Sequence, residues 1–164
     1  MDWHPWILLL HVVGAFIFIL GHGVSVVVAF RIRSERDPAR IGALLDLSRY
    51  SLIPAWIGLL TVVISGVIAT FAENLWGKGW VWATIGILVA VLAYMSLRAV
   101  RFFDDVRHML GMKGYYDKKD APIPDPGTPE ELDALLQSRR PVEIAAVGGG
   151  ALVIIIWLMM VQPF

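Results

Sequence analysis

Cysteine is absent from the 164 residues, which excludes disulfides, iron–sulfur clusters and thiolate metal ligands. No phosphate loop, HExxH or nucleophile elbow occurs, so the soluble-enzyme chemistries those motifs carry are missing too. Charge is scarce over long stretches. Trp6–Phe30, Ser51–Ala72, Gly79–Leu97 and Val142–Val161 are almost free of it. Each run comes close to the roughly 20 residues that cross about 30 Å of hydrocarbon. The 57% hydrophobic share fits that reading, since soluble domains are nearer half apolar and interrupt such runs more often. No internal repeat relates the four runs.

Four spans and their connections use the whole chain. The expected fold is therefore all-α: one membrane domain, residues 1–164, forming an antiparallel four-helix transmembrane bundle. Spans are expected at about 6–30, 51–72, 79–97 (continuing to about 110) and 142–161. A cytoplasmic loop at 111–141 carries a short amphipathic helix.

The charge that is present is lopsided. Five arginines, Arg31, Arg33, Arg36, Arg40 and Arg49, lie in or beside the first connection. Eight more basic residues, from Arg98 to Arg140, lie in or beside the third, and only Lys78 lies in the second. The positive-inside rule makes the side with thirteen of the fourteen basic residues cytoplasmic and leaves both termini outside. Topology accounts for these cations without a nucleic acid partner. Of the seven tryptophans, Trp3, Trp6, Trp76, Trp80, Trp82 and Trp157 fall at the opposite, outer ends, as an interfacial belt requires, and only Trp56 does not. Met-Asp-Trp-His is not basic and no small-residue cleavage site follows the first run, so that run is expected to be a retained span.

Along the chain, Asp37-Pro38 marks the start of a short interfacial helix through Tyr50. Pro54 predicts a kink or a fresh helix start near the cytoplasmic end of span 2. Gly58, Thr61, Ser65, Ala69 and Glu73 share one face of that span, a small-residue and hydroxyl pattern suited to close helix packing. The short hairpin Glu73–Gly79 should make spans 2 and 3 antiparallel neighbours. Gly111–Gly127 has no period and is expected to be a solvated loop. Thr128-Pro129-Glu130-Glu131 is a capping box that opens a short helix, and Gly148-Gly149-Gly150-Ala151 in span 4 invites close backbone contact.

Span 1 holds the candidate chemistry. His11 and His22, eleven residues apart, return to within about 20° of each other, about 16 Å apart along a helix axis. One stripe collects His4, His11, Ala15, Phe18, His22, Ser25 and Ala29, with Leu9, Val13, Phe16, Leu20, Val24 and Val27 opposite. Polar side chains at membrane depth usually face protein or a cavity, so the stripe is expected to face other helices. One chemistry is a b-type haem with His11 and His22 as axial candidates. Gly21 and Gly23 would leave room for a macrocycle beside His22. His108 lies too far past span 3 to pair with His22, so second ligands would come from Met159 or Met160, or from a partner subunit. Another chemistry is an outer copper or proton site from His4, His11 and Glu73, with Met159 or Met160 nearby. Hydrogen bonding of each imidazole to a hydroxyl or carbonyl competes with both.

Leu10-His11-Val12-Val13-Gly14, followed by Phe18 and Gly21, resembles the first helix of the copper-resistance CopD and HemJ-type membrane proteins. Those typically show Leu-His, a glycine three residues on, then Trp and a glycine pair. Arg31–Arg40, the Pro54…Gly58…Ser65-Gly66 run and the Trp-rich entry to span 3 look closer to a related family of predicted four-helix integral membrane proteins. The HemJ resemblance implies haem b and protoporphyrinogen oxidation, with His11 at the ligand-bearing position. The sequence departs from it at Phe18 in place of Trp, at Leu20 in place of a glycine, and in a span 3 without lysine. Two functions remain open: a multi-pass inner-membrane protein holding haem b or a redox or metal site on span 1, or a cofactor-free accessory subunit. Either would sit in the lipid bilayer as a homo-oligomer or within a larger membrane complex.

Overall fold

The computed structural model describes residues 3–164, and the described residues form helices joined by turns and loops, without strands. Four helical stretches are long and apolar enough to cross a membrane. In an apolar surrounding a helix satisfies its backbone N–H and C=O groups within itself, which is the reason such runs wind this way. The first, α1, spans His4–Arg31 with Pro5 in its opening turn. A turn of 3₁₀-helix at Ile32–Ser34 leads to α2, Pro38–Ala72, whose first turn is capped by Asp37: its Oδ1 accepts the Ala39 N–H at 2.9 Å. The segment expected as a separate interfacial helix is the first third of α2. The helix passes through Pro54 unbroken, forgoing one backbone bond there, so no fresh start occurs.

Asn74 in the left-handed region (φ 55°) ends α2, and a 3₁₀ turn at Leu75–Gly77 leads into α3, Gly79–Tyr94. Five residues of π-helix, Met95–Ala99, join α3 to α4, Val100–Met109, as one rod that stops at left-handed Gly111 (φ 68°). The capping box forms as expected: Glu131 N–H donates to Thr128 Oγ1 at 3.3 Å, and Thr128 N–H to Glu131 Oε2 at 3.0 Å. It opens α5, Pro129–Leu136, and α6 follows at Arg140–Val161.

Packing divides the helices into two pairs. Down the α1–α2 seam, His4 meets Glu73, His11 meets Ser65, Gly14 meets Thr61, Gly21 meets Ala55 and Ser25 meets Ser51, so the two helices run antiparallel. The backbones nearly touch. A Cβ on Gly21 would stand 2.7 Å from the Ala55 nitrogen, and one on Gly58 2.7 Å from the Gly14 oxygen. The small face read from span 2 is this contact. The other pair, α3 and α6, meets mainly through Trp80, Val81 and Leu158 and through Met95 on Gly148. A Cβ on Gly149 or Gly150 would meet nothing within 4 Å, so only the first of the three glycines is used.

The hairpin does not make α2 and α3 packing neighbours. The small face of α2 is filled by α1, and Ile57, Ile64, Ile68 and Phe71 on its other sides stay exposed. The two pairs join at the arginine-rich end, where Val28, Ile32, Ile41, Leu45, Phe102, Val106 and Leu136 form a fully buried core under α5.

Glycine substitutions test the seam. Gly58→Ala should lower stability by about 1–3 kcal/mol through overpacking. Gly23→Ala, at a position with nothing within 4 Å, should be neutral or stabilise by up to about 1 kcal/mol. Thermal unfolding in detergent followed by circular dichroism reads the contrast, and equal effects would refute the close approach.

Candidate functional site

The polar stripe of α1 faces α2 for most of its length, because the seam admits small residues and hydroxyls where the opposite aliphatic face cannot fit. At the tryptophan-rich end, His4 Nε2 pairs with Glu73 Oε1 beside an open cleft of about 540 Å³ lined by Trp3, Ile7 and Ala72. Two turns further, His11 Nδ1 and Ser65 Oγ stand 3.1 Å apart, and the imidazole edge covers Gly66. Ser65 Oγ also donates to Thr61 O at 2.5 Å, so His11 Nδ1 carries the proton of the histidine–serine bond when the hydroxyl hydrogen points to Thr61. Thr61 and Thr70 likewise donate to the carbonyls of Ile57 and Gly66, four residues back.

Below them, Ser48 Oγ donates to Ser25 Oγ at 2.9 Å, Ser51 Oγ lies 3.3 Å from Ser25 Oγ, and Ser51 donates to Ser48 O at 2.7 Å. All three serines are buried. Ser25 lies on the predicted stripe. Ser48 and Ser51 become its partners only through the register of α2 against α1, which no local pattern specifies.

His22 differs from its neighbours. Its ring stacks on Phe18, centroids 5.4 Å apart and planes 10° from parallel, and it makes no hydrogen bond among the described residues. The glycines on either side do opposite things. Gly21 admits the backbone of α2, with Ser51 O 2.9 Å from where a Cβ would be, whereas Gly23 borders open space.

These placements bear directly on cofactor fit. His11 sits in a seam too tight for a methyl group at Gly14 or Gly58, so a macrocycle has no space between the helices there. Room beside His22 exists on the Gly23 side only. Met159 packs in the α3–α6 cluster with Trp80, Val81 and Leu158, a cluster containing no residue of α1, and Met160 is 80% exposed. Neither is brought to His11. Among the described residues no three His, Cys, Asp or Glu side chains converge to hold a metal ion: His4 and Glu73 meet, while His11 is two helical turns away on Ser65.

The arginine-rich end holds a network where the sequence pattern predicts only a solvated loop. Buried Arg107 donates from Nη1 to Asp46 Oδ1 at 2.8 Å and from Nε to Lys113 O at 2.7 Å. Buried Asp104 accepts the Tyr115 N–H at 2.5 Å and the Tyr116 N–H at 3.3 Å. Asp117 Oδ2 accepts the Gly114 N–H at 2.7 Å and lies 2.8 Å from His108 Nε2. Together these fold the start of the 111–127 loop back along α4. The only sequence signal is the spacing of Asp104, Arg107 and His108 on one side of a helix.

No family model matches the chain, and neither a curated protein nor a solved structure does.

Two outcomes follow from this geometry. His11→Ala should cost about 0.6 kcal/mol and no more than about 1.7, the range for interhelical hydrogen bonds between apolar helices, read by thermal unfolding in detergent. A larger loss would mean that His11 holds more than Ser65. The Gly114 N–H and the His108 contact hold the Asp117 carboxyl below its ordinary 3.8. The stabilisation from Asp117 is therefore complete above that value and is lost as pH falls through the lower, folded-state value. The Gly114 amide resonance should titrate with a midpoint below 3.8, and a midpoint at or above it would refute the bond.

Proposed function

We propose that this chain is a multi-pass subunit of the cytoplasmic membrane that works within a larger membrane assembly, with its arginine-rich end inside and both termini outside. Four apolar helices of spanning length and thirteen basic residues gathered at one end support the topology. One observation carries the accessory-subunit reading: the histidines nearest the tryptophan-rich end are engaged with α2, His11 on Ser65 and His4 on Glu73, in the manner of helix-to-helix fastenings. The loosely joined α3–α6 pair supports it further. Gly86, Gly149 and Gly150 border open space, and small residues at that depth suit close approach of another helix.

A second reading rests on His22. An imidazole at membrane depth without a hydrogen-bond partner is costly, and the open flank at Gly23 leaves it accessible from outside the α1–α2 pair. A b-type haem bound there would sit between this chain and a neighbour, with the second axial ligand supplied across the interface. The HemJ-like resemblance would instead assign the ligand to His11.

Purification in mild detergent separates the readings. The accessory reading expects a colourless protein that migrates with other chains on native gels. The haem reading expects a Soret band, in oxidised and reduced spectra, that is lost in His22→Ala and kept in His11→Ala. Loss in His11→Ala alone would support the resemblance. A colourless protein that migrates as a monomer would refute both.

A further inference from the structure

At the arginine-rich end, Asp104, Asp105 and Asp117 are engaged by the protein and several cations are not, while Asp120 beside Lys119 is exposed. Asp104 is taken by the Tyr115 and Tyr116 amides, Asp105 by Arg140 Nη1 at 2.7 Å, and Asp117 by Gly114 and His108. Arg31, Arg36, Arg40, Arg107 and Arg140 all have carboxylate partners. Arg98 and Arg101, one helical turn apart where the apolar run of α3 ends, are exposed and have no carboxylate partner among the described residues. The same holds for Lys118 and Lys119 on the loop that folds back.

That loop does not stand off in solvent. The Tyr116 hydroxyl donates to Ser96 O at 3.0 Å, which carries the loop up to the last turn of the apolar run. Tyr115 and Tyr116, packed edge to face, are 51% and 57% exposed at that level. Tyrosine with an apolar ring and a wet hydroxyl belongs at the interface between acyl chains and headgroups. Guanidinium groups one turn apart suit bidentate contact with phosphate oxygens.

We propose that Arg98 and Arg101, with Lys118 and Lys119 on the returning loop and Tyr115 and Tyr116 at the interface, form a surface that binds the headgroups of anionic phospholipids. The inference rests on the membrane topology proposed above. Retention of the protein in carbonate-washed membranes tests the membrane insertion separately from headgroup preference.

The test uses the full chain reconstituted in vesicles with spin-labelled phosphatidylglycerol or phosphatidylcholine, and compares their association with the protein. Wild type should favour phosphatidylglycerol by about fivefold or more, the effect of one cation or more at a membrane surface. Arg98→Gln/Arg101→Gln should lower the ratio clearly, leaving only what Lys118 and Lys119 contribute, while Arg36→Gln/Arg40→Gln, whose arginines are paired with Asp133 and Asp37, should preserve it. Lys118→Gln/Lys119→Gln, which leaves the helices unchanged, should reduce the ratio and provides the test if the double arginine variant fails to insert. Millimolar inorganic phosphate should leave the wild-type ratio unaltered. No preference in wild type, a preference undiminished in the variant able to insert, equal loss in Arg36→Gln/Arg40→Gln, or displacement by inorganic phosphate would each overturn the proposal, the last by marking a free-phosphate site.

Discussion

The close approach of α1 and α2 governs the rest of the structure. Gly14, Gly21 and Gly58 bring two backbones within the thickness of a methyl group, and that distance leaves space only for hydroxyls and a ring edge between them. The polar side chains then have nowhere to go but each other or the carbonyls of their own helix: Ser65 to Thr61, Thr70 to Gly66, Ser48 to Ser25. A seam with its hydroxyls satisfied suits an apolar surrounding, where an unsatisfied polar group is costly and apolar surface alone gives helices no reason to associate. His4 and His11 are drawn into this seam by their spacing, which keeps them on the side that faces α2, while His22 stacks on Phe18 beside the open flank at Gly23.

Beyond that seam the chain relies on its arginine-rich end. The buried core of Val28, Ile41, Phe102 and Leu136 ties together α1, α2, α4 and α5, and Arg107 bridges α4 to Asp46 of α2 and to the backbone of the loop. At the opposite end α3 and α6 share a small apolar cluster, and Phe164 beyond α6 lies against Gly79 and accepts the Trp80 N–H. The fold is thus fastened at one end and along one seam, and open between α3–α6 and their neighbours.

Composition made the four long helices legible, because a helix is what satisfies a long uninterrupted apolar run within its own segment, and the capping box fixed the start of α5 to the residue. The small face of span 2 and the stripe of span 1 were also legible, since each follows from 3.6-residue winding. What the sequence did not reveal was which surfaces meet. Short hairpins suggest neighbours, yet α3 packs on α6 and leaves isoleucines of α2 exposed. The Gly21–His22–Gly23 triplet reads as symmetric room around an imidazole, and the structure gives one glycine to α2 and leaves the other open. The 111–127 loop has no period, so nothing in its pattern betrays that Asp104 and Asp117 gather its amides. Contacts set by tertiary register, rather than by local periodicity, are where the sequence falls silent.

The five π-helical residues Met95–Ala99, closed by the Val100 N–H on Met95 O, have an effect on angular phase. One surplus residue in a helical turn swings everything downstream by about 100° relative to an unbroken α-helix. The rod can therefore aim Trp80, Val81 and Thr84 in one direction above the bulge, and Phe102 and Val106 in another below it. A single rod thereby hands over from α6 to the α1–α2–α5 core midway along its length. Winding all the same residues as unbroken α-helix would turn Phe102 and Val106 about a quarter-revolution off their core, whereas excising one residue from Met95–Ala99 would restore regular winding and leave them facing it.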